Sequence, residues 1–242
     1  MTTKVNVVAI DGPAASGKSS VAKAVAKALG WQYVTTGAFY RALAVLVEER
    51  GIDLDESLLS PGGEAGAQLK TAVSELSWDH ESQNVRVCGK DLGAKLFEDS
   101  LRPTLARVAA HPLIRELLIG PQRDVALSCK NGAVLDGRDI GSVIFPDAKV
   151  KLFLTASSLE RAKRRLGQQR GVGATAISGS DEELSAMAKA IEQRDSGDEN
   201  RAVAPLRCVE DAWRLDTSDL AYDQVVDQVY DHCLRSLSAV EL

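Results

Sequence analysis

Gly12-Pro13-Ala14-Ala15-Ser16-Gly17-Lys18-Ser19 fits the pattern G-x-x-x-x-G-K-[ST] in full. Before it stands Val5–Ile10, a β-branched run that suits a buried parallel strand. After it comes Lys18–Leu29, alanine-rich with helical spacing and ended by Gly30. Strand, glycine-bearing turn and helix in that order call for a return over the sheet, and so for parallel strands. The spacing also has a chemical reason. Glycines let backbone N–H groups converge on phosphate oxygens, and the helix start adds its positive end. The pattern assigns Lys18 to the β- and γ-phosphates of a nucleotide and the Ser19 hydroxyl to Mg²⁺. Ser20, the next residue, is grouped with the phosphate-binding set. Lys18 is expected at an exposed junction of loop and helix.

The rest of the chain continues the alternation. "WQYVTT" predicts a second strand and Ala38–Glu49 a second helix. Gly51–Glu98 differs. It opens with turn-rich "DLDES" and "PGGEAG", and its "SELSWD" and "NVRVCGKDL" predict an antiparallel hairpin inserted on the main sheet. Leu101–Ala110 and Leu113–Ser128 predict helices separated at Pro112. "GAVLDG" and "AKVKLFLT" predict buried strands, and Leu159–Gln169 a positively charged helix. "RGVGATAISGSDEE" is a glycine- and serine-bearing connection, followed by a helix from Glu182 to about Arg194. "DAWRLDT" predicts a last strand and Ala221–Leu234 a closing helix. The fold class is α/β, a P-loop-type parallel sheet with helices on both faces. At 242 residues the chain suits one domain, with its core over 1–50, 99–169 and 202–242.

Several function classes are set aside. A net charge of −5 implies no general affinity for nucleic acid. No apolar run approaches a membrane span, and that in "MTTKVNVVAID" is too short for a signal peptide. Cys88, Cys129, Cys208 and Cys233 form no CxxC pair, so single thiols in a reducing cytoplasm are expected. His80, His111 and His232 are scattered and read as bystanders. N-K-x-D and D-x-x-G, needed by a GTP switch, are absent. The best Walker B candidate is Asp136 in "AVLDG". Gly137 follows it, where a motor ATPase often has a carboxylate to position water. The bound phosphoryl group is therefore expected to pass to a second substrate.

That substrate needs its own cationic site. Arginines stand beside short polar residues in "TTGAFYR", "HPLIREL", "LDGRDIG" and "RDSGDENRAVAPL". The planar guanidinium fork suits a phosphate clamp. With "VIFPDAKVKLFLTASSLERAKRR", these segments make the chain resemble the bacterial cytidylate kinases, nucleoside monophosphate kinases, over nearly its whole length. The resemblance implies a single kinase domain with an acceptor-binding insertion at 51–98 and a mobile lid at 170–201. It assigns Arg41, Arg138 and Arg201 to the acceptor's phosphate, with Lys18, Arg138 and Arg201 as the catalytic set. Arg115 and Asp139 would face the cytosine edge, and Arg194 and Asp198 the pentose. Arg164 would stack on adenine, and Asp136 would act on Mg²⁺ through water. ATP and Mg²⁺ are the implied phosphoryl donor and cofactor, and CMP and dCMP the implied acceptors. A cytoplasmic monomer is expected.

The chain departs from the family pattern in three places. Thr35-Thr36-Gly37-Ala38 stands where Asp-Ser-Gly-Ala is usual, with Thr36 keeping a hydroxyl for the acceptor. Ala106 replaces a common base-contacting serine, and Gly197 a lid arginine found in some members. Two other readings stay open here. One is a kinase for another small acceptor such as UMP, and the other is a nucleotide-binding regulatory module without turnover.

Overall fold

The computed structural model describes residues 6–55, 63–171 and 180–238. The chain runs β1 (Val7–Asp11), α1 (Lys18–Leu29), β2 (Gln32–Thr35) and α2 (Gly37–Arg50). Then come α3 (Glu64–Ser74), β3 (Leu76–Asp79), β4 (Asn84–Val87) and β5 (Lys90–Asp91). α4 (Arg102–Ala110), α5 (Pro112–Ser128), β6 (Ala133–Asp136) and β7 (Val150–Thr155) follow. α6 (Ser158–Arg170), α7 (Asp181–Glu199), β8 (Trp213–Asp216) and α8 (Tyr222–Ser238) complete the order.

β2, β6, β1, β7 and β8 pair in that order, all parallel. β1 lies at the centre because every one of its side chains is buried. Successive side chains alternate between two apolar layers. Val7 and Ala9 join a layer with α2, α3 and α5, and Val8 and Ile10 one with α1 and α8. From β1 the chain moves first to one side of the sheet and later to the other. The crevice for a ligand in such a sheet opens at the carboxyl ends of the strands. In register there are Ile10, opposite Asp136, and Asp136, opposite Thr35.

β3, β4 and β5 form a small antiparallel sheet, one short strand more than the expected hairpin. It is seated on α2, where Trp78 stacks on Phe39 with ring centroids 5.9 Å apart. α2 is buried along most of its length, between the main sheet and this added layer.

Two elements differ from the sequence expectation. The glycines around 62–66 point to a turn, yet Glu64–Ser74 is helical. Its Ala65, Leu69, Ala72 and Val73 are buried at helical spacing, and that burial outweighs the glycine cost. α7 runs to Glu199, beyond the predicted end near Arg194. The polar run Asp195-Ser196-Gly197-Asp198 stays helical because Asp195 and Asp198 are buried against arginines. Of the region expected to form a lid, residues 172–179 lie outside the described residues, as do 56–62 of the insertion.

Candidate active site

The loop between β1 and α1 has a shape that only its sequence allows. Gly12 has φ +147°, and an added Cβ would lie 2.0 Å from the Leu154 carbonyl oxygen. Gly17 caps α1 with φ +91°. Ala15 adopts φ +58°, a conformation that costs a non-glycine residue energy unless its surroundings hold it.

Lys18 folds back under this loop. Its Nζ donates to the Pro13 carbonyl at 2.6 Å and to Ser16 Oγ at 3.2 Å. The exposed position expected for it is not observed: Lys18 is 5% exposed. Burial holds its pKa well below the usual lysine value, and the positive charge of Arg138 adds to this. The first helical turn packs its second residue, Ser19, at the surface and its first residue into the site.

The Ser19 hydroxyl donates to Asp136 Oδ2 at 2.5 Å, and the Tyr33 hydroxyl donates to Oδ1 at 2.9 Å. Burial, with the Asp136 charge next, pushes the Tyr33 phenol pKa up. Tyr33 therefore stays a donor. Thr36 Oγ donates to the Asp136 carbonyl at 2.9 Å, so its hydrogen is engaged there. Gly137 is glycine for steric reasons. A Cβ would lie 2.7 Å from Ile140 and 2.8 Å from Thr36 Oγ.

Beyond Asp136 the chain enters a wide π-type turn, Ile140–Ile144. Asp11 holds it, accepting N–H from Ile140 at 2.8 Å and from Gly141 at 2.7 Å. Burial raises the Asp11 pKa to about 6, against those two N–H bonds. Asp139 adds to the rise and Lys18 opposes it. Asp11 was not among the predicted site residues. Its place directly before Gly12 was the available clue.

The predicted arginines converge from four segments. Arg115 Nη2 pairs with Asp139 Oδ2 at 2.5 Å, both nearly fully buried. Arg115 also donates to the Ala109 carbonyl at 2.8 Å and lies 5.3 Å from the Tyr40 ring centroid. Burial lowers its pKa, but Tyr40 and Asp139 outweigh burial and hold it above the ordinary value. Arg138 Nε meets Asp198 Oδ2 at 2.8 Å, and Arg201 pairs with Asp198 Oδ1. Arg41 donates to the Leu96 carbonyl at 3.0 Å and lies over Phe97.

Arg194 makes no hydrogen bond among the described residues. Its pKa falls to about 10 through desolvation by the surrounding chain, with the charge of Arg138 next. Its residue surface is exposed, so water screens much of this effect and Arg194 stays charged at neutral pH. Arg165 belongs to the same positive field, since its charge depresses both Arg41 and Arg194. Sequence reasoning missed Arg165, which adjoins Arg164 in "ERAKRR". Arg164 itself reaches the phosphate loop. It donates to the Thr217 carbonyl at 2.7 Å, to Thr217 Oγ at 2.8 Å and to the Ser16 carbonyl at 3.3 Å. Ala106 is exposed on α4, one turn before Ala109.

The arrangement joins a phosphate-shaped backbone loop to a field of arginines across Asp136, Gly137 and Arg138. A hard oxygen pair, Ser19 and Asp136, stands at the loop. Among the described residues no three His, Cys, Asp or Glu side chains are grouped so as to hold a metal ion. No helix of the described residues is long and apolar enough to cross a membrane.

Sequence comparison places the chain among known proteins. The family model for cytidylate kinase matches residues 8–235. A cytidylate kinase of Limosilactobacillus fermentum is 42% identical over 232 residues, covering 95% of this chain and 96% of the relative. One from Geobacillus is 40% identical over 226 residues, covering 93% and 94%. A bifunctional pantoate ligase/cytidylate kinase of Synechococcus elongatus is 38% identical over 223 residues, 92% of this chain and 41% of that protein. By both the family model and these identities, the chain belongs to the cytidylate kinase family.

Proposed function

We propose that this protein transfers the γ-phosphate of ATP to CMP or dCMP, giving ADP and CDP or dCDP. The observation that carries the reading is the adjacency of the Lys18 loop and the arginine field. Two phosphate-binding devices meet across Asp136, Gly137 and Arg138. A hydrolase would need only one.

The donor phosphates lie along Gly12–Ser20, with Lys18 at the transferred group and Arg164 beside the loop for adenine. Ser19 and Asp136 would hold Mg²⁺, which neutralises charge on the donor phosphates when bound. Arg41, Arg138 and Arg201 clamp the acceptor's phosphate, with Thr36 supporting the loop beside them. Arg194 and Asp198 face the pentose. Arg115 and Asp139 line a cavity of about 260 Å³ with Pro112, Ile119, Val143 and Val203, which suits a pyrimidine. Asp139 would accept from the exocyclic amine of cytosine.

An oxygen of the acceptor's phosphate attacks the γ-phosphorus in line. Its new O–P bond forms as the bond to the ADP oxygen breaks, and ADP departs with that electron pair. A phosphate dianion is already a nucleophile, so no general base is needed. Catalysis is positioning plus stabilisation of charge by Lys18, Arg138 and Arg201. The region 170–201 acts as the lid that excludes water, and the insertion 51–98 backs the acceptor site.

The test is ADP release with and without CMP, followed by chromatography of the nucleotide products. CMP-dependent ADP release with CDP as co-product is the expected result. ADP release that ignores CMP, or a product from UMP alone, would overturn the reading.

A further inference from the structure

Asp195 and Arg161 belong to none of the roles above, yet both are charged and nearly fully buried. Together they enclose one residue of the phosphate loop. Asp195 Oδ1 accepts the Ala14 N–H at 2.8 Å, and its Oδ2 pairs with Arg161. Arg161 in turn donates to the Ala14 carbonyl at 3.2 Å and to the Ala156 carbonyl at 3.0 Å. Both polar groups of Ala14 are thus held from outside the loop.

The neighbours of Ala14 give this hold its consequence. Pro13 offers the carbonyl that receives Lys18, and Ala15 is the loop's left-handed non-glycine residue. The loop shape around Lys18 therefore depends on side chains from α6 and α7. A buried ion pair is by itself weak evidence for stability, because desolvation offsets its attraction. What distinguishes this pair is the backbone it grips.

α7 also reaches the other substrate. Asp198 follows Asp195 by three residues, so the two project from neighbouring points on one helical face. Asp198 binds Arg138 and Arg201, both assigned to the acceptor. One turn of α7 thus touches the donor loop at its start and the acceptor arginines at its end.

We propose that Asp195 is a positioning residue that couples the two substrate sites, so that α7 seats the phosphate loop as it seats the acceptor arginines. The proposal rests on the reading that ATP and CMP are the substrates. Binding of either nucleotide fixes the same helical turn, and the second then finds its site ordered.

Calorimetry of CMP binding, with and without a non-hydrolysable ATP analogue, tests this in wild type and in Asp195→Asn. Asparagine keeps an acceptor for Ala14 but removes the charge that holds Arg161. In wild type the analogue should tighten CMP binding by about 5- to 150-fold, the usual range of such coupling. In Asp195→Asn that factor should fall below about twofold. A wild-type factor of one, or an unchanged factor in the variant, overturns the coupling. Failure of the wild type to bind CMP at all overturns the functional reading instead. If circular dichroism shows Asp195→Asn to be unfolded, the double variant Asp195→Asn with Arg161→Gln has no unpaired charge and takes its place in the same titrations. Loss of the coupling factor in that protein supports the proposal, and a factor equal to that of wild type overturns it.

Discussion

The Ser19 hydroxyl donates to Asp136 Oδ2 at 2.5 Å, joining the first turn of α1 to the carboxyl end of β6. The contact brings two hard oxygens together at the mouth of the phosphate loop, the donor type Mg²⁺ prefers. Ser19→Ala should raise the Mg²⁺ concentration for half-maximal rate by about 10-fold or more, by loss of one ligand. Titration of activity with Mg²⁺ at saturating nucleotides checks this. An unchanged midpoint would exclude Ser19 as a ligand.

Lys18→Ala should reduce kcat by about 10²–10³-fold, the scale for removing one preorganised charge stabiliser. Its effect on folding should be small or favourable. The ammonium is buried at a cost, as its lowered pKa shows, and alanine removes that cost. Paired urea unfolding and ADP-release assays separate the two effects. Near-normal turnover would remove Lys18 from the catalytic set.

Arg138→Ala and Arg201→Ala should each lower kcat strongly, while Arg194→Ala should act mainly on KM for the acceptor. The structure gives a reason for the contrast. Arg138 and Arg201 are pinned by Asp198, whereas Arg194 makes no hydrogen bond among the described residues. Equal kcat and KM patterns for all three in steady-state kinetics would contradict it.

Asp11 gives a pH signature of unusual sign. Its pKa is raised to about 6 from 3.8, so between these values the folded state binds more protons than the unfolded state. Stability from this group is therefore greatest below pH 4 and is lost as pH rises through 6. Other carboxylates titrate in the same range, so the comparison is with Asp11→Asn. The stability of wild type minus that of the variant should grow by about 2–3 kcal/mol from pH 7 to pH 4. Urea unfolding of both proteins at each pH measures it. A difference independent of pH would show that Asp11 is not raised.

CMP should be preferred over UMP by about 10- to 100-fold in kcat/KM, because uracil leaves the Asp139 carboxylate without its donor. Ala106→Ser should raise that ratio by up to about tenfold if a serine on α4 reaches the base. Ratios from both acceptors test this, and equal use of UMP by wild type would remove Asp139 from base recognition.

The phosphate loop was legible because its information is contiguous. Glycine spacing, a strand before and a helix after lie within one short segment. The parallel sheet followed from alternation, and the arginines that the fold brings together were marked by the motifs that carry them. Asp195 and Arg161 were not legible. Their contact with Ala14 joins residues far apart in the chain, and "ERAKRR" reads as a solvated face from any single helix. α3 was hidden by Gly63 and Gly66, whose turn-forming tendency is overcome only when Leu69 and its neighbours meet α2 and α5. The burial of Lys18 was missed for a similar reason. Sequence places it after a glycine, but only the fold shows Pro13 and Ser16 closing over it.

Trp78, stacked on Phe39, also equips the molecule with an optical probe. Phe39 lies two residues before Arg41 on α2, so the stacked pair is seated on the helix that carries Arg41. The other tryptophans, Trp31 and Trp213, belong to the opposite apolar layer. Replacing both with phenylalanine leaves one tryptophan emitter. Its wavelength and quantum yield then report, without a label, whether the small sheet stays docked on α2 while nucleotides come and go.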